Sequence, residues 1–150
     1  MPWTDWACIG LCLAASLVEA RRGSLAALVD LLGVLVALPA AERLHPLVVS
    51  EAVDPGIAYL LVLGALLLIT VMVSWQVQTA TARPSGPADF TVAAVAGAFV
   101  GLALGYGLFH FVLLYYGDAF PPYQDSTLRP IVHDLTWLKP LANRLGVRIK

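Results

Sequence analysis

Residues 97–107 read GAFVGLALGYG, four glycines in eleven positions within an otherwise unbroken apolar run. Glycine weakens an ordinary helix by about 1 kcal/mol relative to alanine, so its regular recurrence needs a physical reason. Gly97, Gly101 and Gly105 stand at i, i+4 and i+8, on one stripe of a helix. In lipid, small residues at this spacing let two helix backbones approach and gain van der Waals contact. The stripe predicts a close-packing seam, against either this chain's own helices or another subunit.

The composition around it calls for lipid. The chain has 150 residues, 59% hydrophobic and 13% charged, with a mean hydropathy of +0.80. Soluble domains carry about 25% charged residues, so too little charge is present to clothe a water-facing surface. An integral membrane protein of one compact domain is expected. The formal net charge of −1 offers no footprint for nucleic acid. The start MPWTDWACIG lacks a basic n-region, so no cleavable signal is expected.

Three further apolar segments accompany the one that holds the glycines, giving 3–20, 24–38, 57–77 and 90–116. At 1.5 Å per residue the first two barely reach the 30 Å or so of a hydrocarbon core. They form a short hairpin that either spans with local thinning or enters and returns. Ser24, Asp54 with Pro55, and Asp89 are expected to start helices, and Pro39 to end the second. Trp3, Trp6, Tyr115 and Tyr116 are interfacial anchors. Beyond 116, Leu128, Ile131, Val132, Leu135 and Leu138 recur at helical spacing opposite Arg129, His133 and Asp134. This predicts an amphipathic helix in the interface, ended by Pro140. The fold class is therefore all-α integral membrane, with a four-helix transmembrane domain over 1–116 and an extramembrane tail over 117–150.

Arg21, Arg22 and Arg83 fall in loops on one side, and Glu42, Arg43, Glu51 and Asp54 in the opposite loop. The positive-inside rule puts the arginines in the cytoplasm and both termini outside. The basic tail, with Arg144, Arg148 and Lys150, argues against this.

Cys8, Cys12, Ala15 and Glu19 share a face of the first segment, and Ala26, Asp30, Gly33 and Ala37 a face of the second. These faces are expected to meet, bringing Asp30 near Cys12, Ala15 or Ser16. Cys8 and Cys12, at i and i+4, are badly spaced for a disulfide and read as small packing residues. An intramembrane carboxylate such as Asp30 is costly unless paired, protonated or wet. It is either a proton, ion or partner site, or a Ser16-bonded group that fixes the hairpin. His110 is expected to make an interhelical hydrogen bond. A haem or chlorophyll ligand is the alternative reading, but no second intramembrane histidine supports it, so neither cofactor nor metal is expected. GxSxG, HExxH, GxxxxGK and GxGxxG are all missing from the sequence. Ser126, His133 and Asp134 lie too close along one short helix for a triad. A non-enzymatic protein is expected.

WTDWACIGLCLAASLVEARRGSLAALVDLLG resembles the start of the colicin V production protein (CvpA) family. Members pair an early aspartate, a first helix, a basic turn ending in glycine, and a second helix leading to LG. The matching residues are Asp5, Arg21, Arg22, Gly23, Leu32 and Gly33. The stripe Gly97, Gly101 and Gly105 is similar to the family's fourth segment, and Ser126, Leu128, Pro130 and Ile131 to its ending. Glu19 stands where members often have glycine, and Leu104 where they often have a basic residue. The resemblance implies a bacterial inner-membrane protein with four membrane helices. Some relatives carry a serine protease domain after a similar helical module.

A CvpA-like scaffold or export-assisting protein is thus the first expectation. An accessory subunit of a larger complex in energy conversion, transport or secretion is the second. A small oligomeric channel or proton-coupled transporter using Asp30 is the third. The expected partners are the lipid bilayer and either other membrane subunits or further copies of the chain.

Overall fold

The computed structural model describes residues 1–80 and 86–136. Those residues form an all-helical bundle without a β-strand. The long helices are α1 (Trp3–Arg22), α2 (Ser24–Leu44), α3 (Pro55–Ala80) and α4 (Pro87–Tyr116), followed by the single turns α5 (Pro121–Gln124) and α6 (Arg129–Val132). All four long helices have the length and apolarity to cross a membrane. Leu13, Leu32, Val36, Leu61, Leu68 and Ile69 are each more than half exposed on the outside. Water-soluble proteins rarely expose apolar patches beyond a few hundred Å². A multi-pass membrane protein is the reading these faces support.

Gly23 alone joins α1 to α2, at φ 95°. That left-handed backbone suits glycine and disfavours every residue with a Cβ. The expected meeting of the small faces of α1 and α2 is confined to the turn end, where Glu19 and Asp30 come together. α1 packs chiefly on α4, while α2 packs on α3 and α4 and barely touches α1. The glycine stripe explains the choice, because it lets α1 approach α4 at backbone distance. A Cβ built on Gly97 would lie 2.7 Å from the Ala15 carbonyl oxygen and the Ser16 Cα. One on Gly101 would lie 2.8 Å from the Cys12 nitrogen, and one on Gly105 2.5 Å from Cys8 Sγ. Ser16 Oγ–H donates to the Ala94 carbonyl at 2.8 Å across the same seam. Gly33 serves α3 instead, since its Cβ would sit 2.7 Å from Thr70 Oγ1.

Helix boundaries also depart from expectation. α2 runs through Pro39 to Leu44. Proline removes one backbone bond, but ending a helix inside lipid would leave several groups unsatisfied, so continuing is cheaper. Gly23 and Gly86, not Ser24 and Asp89, are the N-caps of α2 and α4. Asp89, one turn into α4, instead reaches across to α2. Its Oδ1 accepts the Ser24 N–H at 3.1 Å and also the Ser24 hydroxyl. An α4 carboxylate thereby covers an orphan donor at the start of α2.

The continuous amphipathic helix is not formed over its described part. Helix α6 is one turn, and Leu135 has φ 46°. The Asp134 and Thr136 N–H groups fold back onto the Arg129 and Pro130 carbonyls, which closes the turn. Leu138, Pro140 and the basic tail lie outside the described residues. The segment 117–132 lies against the bundle: Tyr123 and Val132 are buried with Cys8, Phe109 and Val112.

Candidate functional site

Polar side chains gather at both ends of the bundle. At the first end the hub is Arg22, in the last turn of α1. Its guanidinium offers five N–H donors in a fixed fork. Nη1 reaches Glu19 Oε1 at 3.2 Å, one turn earlier on α1, and Asp30 Oδ2 on α2. Nη2 donates to Ser74 Oγ at 2.7 Å and Nε to Gln78 Oε1 at 3.4 Å, both on α3. Ser74 in turn donates to the Ala26 carbonyl at 3.3 Å. The turn arginine thus ties together three helices that touch one another unevenly. Asp30 therefore pairs with Arg22 and not with Ser16, whose hydroxyl is engaged by α4.

The cluster is unbalanced. Two carboxylates share one guanidinium, and both side chains are about 95% buried. Glu19 Oε2 and Asp30 Oδ1 are buried without a donor from a third residue, but the two carboxyl groups lie in hydrogen-bond contact with each other, which one shared proton would satisfy. A buried polar atom left unpaired costs several times what a made hydrogen bond returns. Both residues line a cleft of about 480 Å³ between α1 and α3. Apart from Arg22 and Thr70 its remaining walls are apolar, with Leu11, Val18, Leu67 and Val71 on the sides and Val100 and Leu104 at the back.

At the opposite end, Asp5 is fully buried and holds the tail. Its Oδ1 accepts the Ser126 hydroxyl and the Leu128 N–H at 3.4 Å. Its Oδ2 accepts the Thr127 N–H at 3.1 Å and hydroxyl at 2.8 Å. Beside it, Thr4 Oγ1–H donates to the Pro122 carbonyl at 2.8 Å.

A ring cluster lies next to this clamp. His110 contacts Tyr59 at 4.9 Å between centroids and Tyr106 at 6.1 Å. Its described partners are rings; the expected interhelical hydrogen bond is not among them. His133, read from the sequence as lying outside the spans on a polar face, stacks on Tyr106 at 5.2 Å and on His110 at 6.0 Å. Tyr106 donates to Glu42 Oε1 at 2.7 Å. The tail adds an ion pair of Arg129 with Asp134 at 3.3 Å and a cation–π contact of Arg129 with Tyr123 at 4.4 Å. Burial pushes the Tyr123 phenol above its ordinary pKa, against the opposing pull of Arg129.

Several partnerships were missed from the sequence. Arg22 looks like an orientation charge, and nothing in its spacing names Ser74 or Gln78. Asp5 enters only through the family resemblance, and Ser126 through it and a discounted triad, yet they touch. Among the described residues, no three His, Cys, Asp or Glu side chains converge where a metal ion can bind. The Ser126 hydroxyl is engaged by Asp5, and His133 Nδ1 lies 2.9 Å from Asp134. Comparison with protein-family models, curated proteins and solved structures gives no match.

Proposed function

We propose that the chain is a non-enzymatic, CvpA-like scaffold or export-assisting protein of the bacterial inner membrane. The observation that carries this reading is where its polar groups are spent. Asp5, Ser24 with Asp89, and Arg22 each tie one helix or segment to another, while the outer faces are apolar. A small, internally stapled bundle offers a shaped surface to lipid and to neighbours and needs no reaction centre. The Asp5–Ser126 contact puts the start of α1 and the tail at one end of the bundle. Combined with the positive-inside rule, that end is periplasmic. Purification in mild detergent from the native host, followed by sizing and mass spectrometry, tests the reading. A chain running alone or with itself supports a scaffold. Stoichiometric foreign subunits would make it an accessory subunit instead.

A second reading, proton-coupled transport, draws on the unbalanced Glu19–Arg22–Asp30 cluster. Adding or removing one proton there would switch the cluster between neutral and singly negative. Flux in vesicles lost in Asp30→Asn with assembly intact supports it; unchanged flux removes it.

A further inference from the structure

We propose that the α1–α3 cleft seats one acyl chain of an anionic phospholipid whose phosphate is held by Arg21. α1 lies on α4 and α3 on α2, so α1 and α3 hardly touch and a gap stays between them. Ala14 and Val18 on α1 and Trp75 on α3 are exposed along its rim, so the gap opens sideways to lipid. Arg21 stands two turns beyond Ala14, on the same line of α1. It is exposed, and among the described residues its side chain has no hydrogen-bond or ion-pair partner. The guanidinium of Arg22, by contrast, is spent on Glu19, Asp30, Ser74 and Gln78. Depth matches as well. From Arg21 down to Leu11 is ten residues, about 15 Å at the rise of a helix and half of the 30 Å or so of a hydrocarbon core. The cleft is one leaflet deep. The Arg22–Ser74 bond sets Trp75 level with the arginines, at the headgroup depth that suits an indole.

Charge selects the headgroup. Arg22 and its two carboxyl groups balance once those groups share one proton, and Asp89 at the same end is engaged by Ser24. Arg21 is then the uncompensated charge at the rim. A guanidinium meets a phosphate through paired N–H donors. A zwitterionic headgroup would bring a second cation beside it, whereas an anionic one brings none. The buried carboxyl oxygens take no part. A partner helix fits less well. One turn of a helix, about 10 Å across and about 5.4 Å long, already fills roughly 400 Å³, and the cleft holds only about 480 Å³. That volume is in the range of small-molecule sites and suits a single chain. The site does not rest on the scaffold reading, since a scaffold and a transporter can each hold a lipid.

The test uses the full chain in nanodiscs of phosphatidylcholine that hold a minor fraction of one lipid with a brominated acyl chain, either phosphatidylglycerol or phosphatidylcholine. Bromine quenches indole fluorescence on contact, and the component that Trp75→Phe removes reports the cleft. Brominated phosphatidylglycerol should quench that component at concentrations about fivefold lower than brominated phosphatidylcholine. Unbrominated phosphatidylglycerol should relieve the quenching, and inorganic phosphate at equal ionic strength should not. Arg21→Gln should bring the two lipids level. Ala14→Phe, which blocks the rim and keeps Arg21, should also remove most of the preference, a loss that attraction to a charged surface alone would not suffer. Both positions are exposed, so neither variant disturbs the bundle. Equal quenching by the two lipids in the unaltered chain, relief by phosphate alone, or a preference that survives either substitution would overturn the proposal.

Discussion

Ser126 donates its hydroxyl hydrogen to Asp5 Oδ1 across 121 residues of chain, and both residues are buried. The contact docks the tail beside the first turn of α1. Hydrogen bonds to charged groups contribute about 1.5–3 kcal/mol. Ser126→Ala should therefore destabilise the folded state by about that much, and a cycle with Asp5→Ala should show strong coupling between the two sites. Thermal unfolding in detergent and limited proteolysis of the tail would report it. Additive effects would mean that the pair does not form.

Removing Arg22 should be more severe. Arg22→Ala strips two buried carboxylates and Ser74 of their shared partner. Breaking a buried ion pair from one side costs about 3–5 kcal/mol. Arg22→Ala combined with Glu19→Gln and Asp30→Asn should recover part of that loss, because no charge is then stranded. Denaturation of the single and triple variants in detergent measures the difference. A triple variant no more stable than Arg22→Ala would show that the carboxylates are not the source of the penalty.

Gly33 and Thr70 make a size-matched pair across α2 and α3. A methyl at Gly33 would meet Thr70 Oγ1 at 2.7 Å. Overpacking of this kind costs about 1–3 kcal/mol. Gly33→Ala should lower the melting temperature, and adding Thr70→Ala should restore much of it. Failure of the second change to rescue the first would separate the two residues.

The Tyr123 phenol gives the tail a pH limit. Its pKa is raised in the folded state, chiefly by burial, from an ordinary value of 10.0. A raised pKa means that the group's contribution is complete below the unfolded value and lost as pH climbs through the folded one. Docking of the tail should hold at neutral pH and weaken above pH about 10. A phenolate absorbance titration of the unaltered chain minus that of Tyr123→Phe isolates the group. A midpoint at or below the ordinary value would contradict its burial.

The spans were legible because lipid selects for apolarity over the length of a helix, a signal that survives in any one segment. The glycine stripe was equally visible, since i, i+4 spacing is a property of one helix. Its facing partner was not. The small faces of α1 and α2 looked complementary, but smallness does not say which other small face is met, and α4 offered backbone contact at Gly97 and Gly101. Arg22 was hidden for a similar reason. A basic residue in a turn has a ready explanation in topology, whereas its reach to Ser74, 52 residues away, is set only by how α3 folds back. The helical spacing of Leu128, Ile131 and Val132 served docking only in part: Val132 is buried on the bundle with Leu128 packed beside it, whereas Ile131 is exposed, and α6 ends at Val132.

The α1–α4 seam underlies the whole account, because it consumes the glycine stripe internally and leaves the α1–α3 cleft open. A thiol introduced by Gly105→Cys tests it directly. The Cβ at that position lies 3.7 Å from Cys8 Cβ, inside the 3.5–4.5 Å or so that a disulfide spans. With Cys12→Ser as background, mild oxidation in native membranes followed by non-reducing gels and peptide mass spectrometry reads the outcome. A monomer carrying an internal link between Cys8 and position 105 is the predicted result. Linkage only between two chains, or no linkage under conditions that oxidise exposed thiols, would contradict the seam and with it the bundle described above.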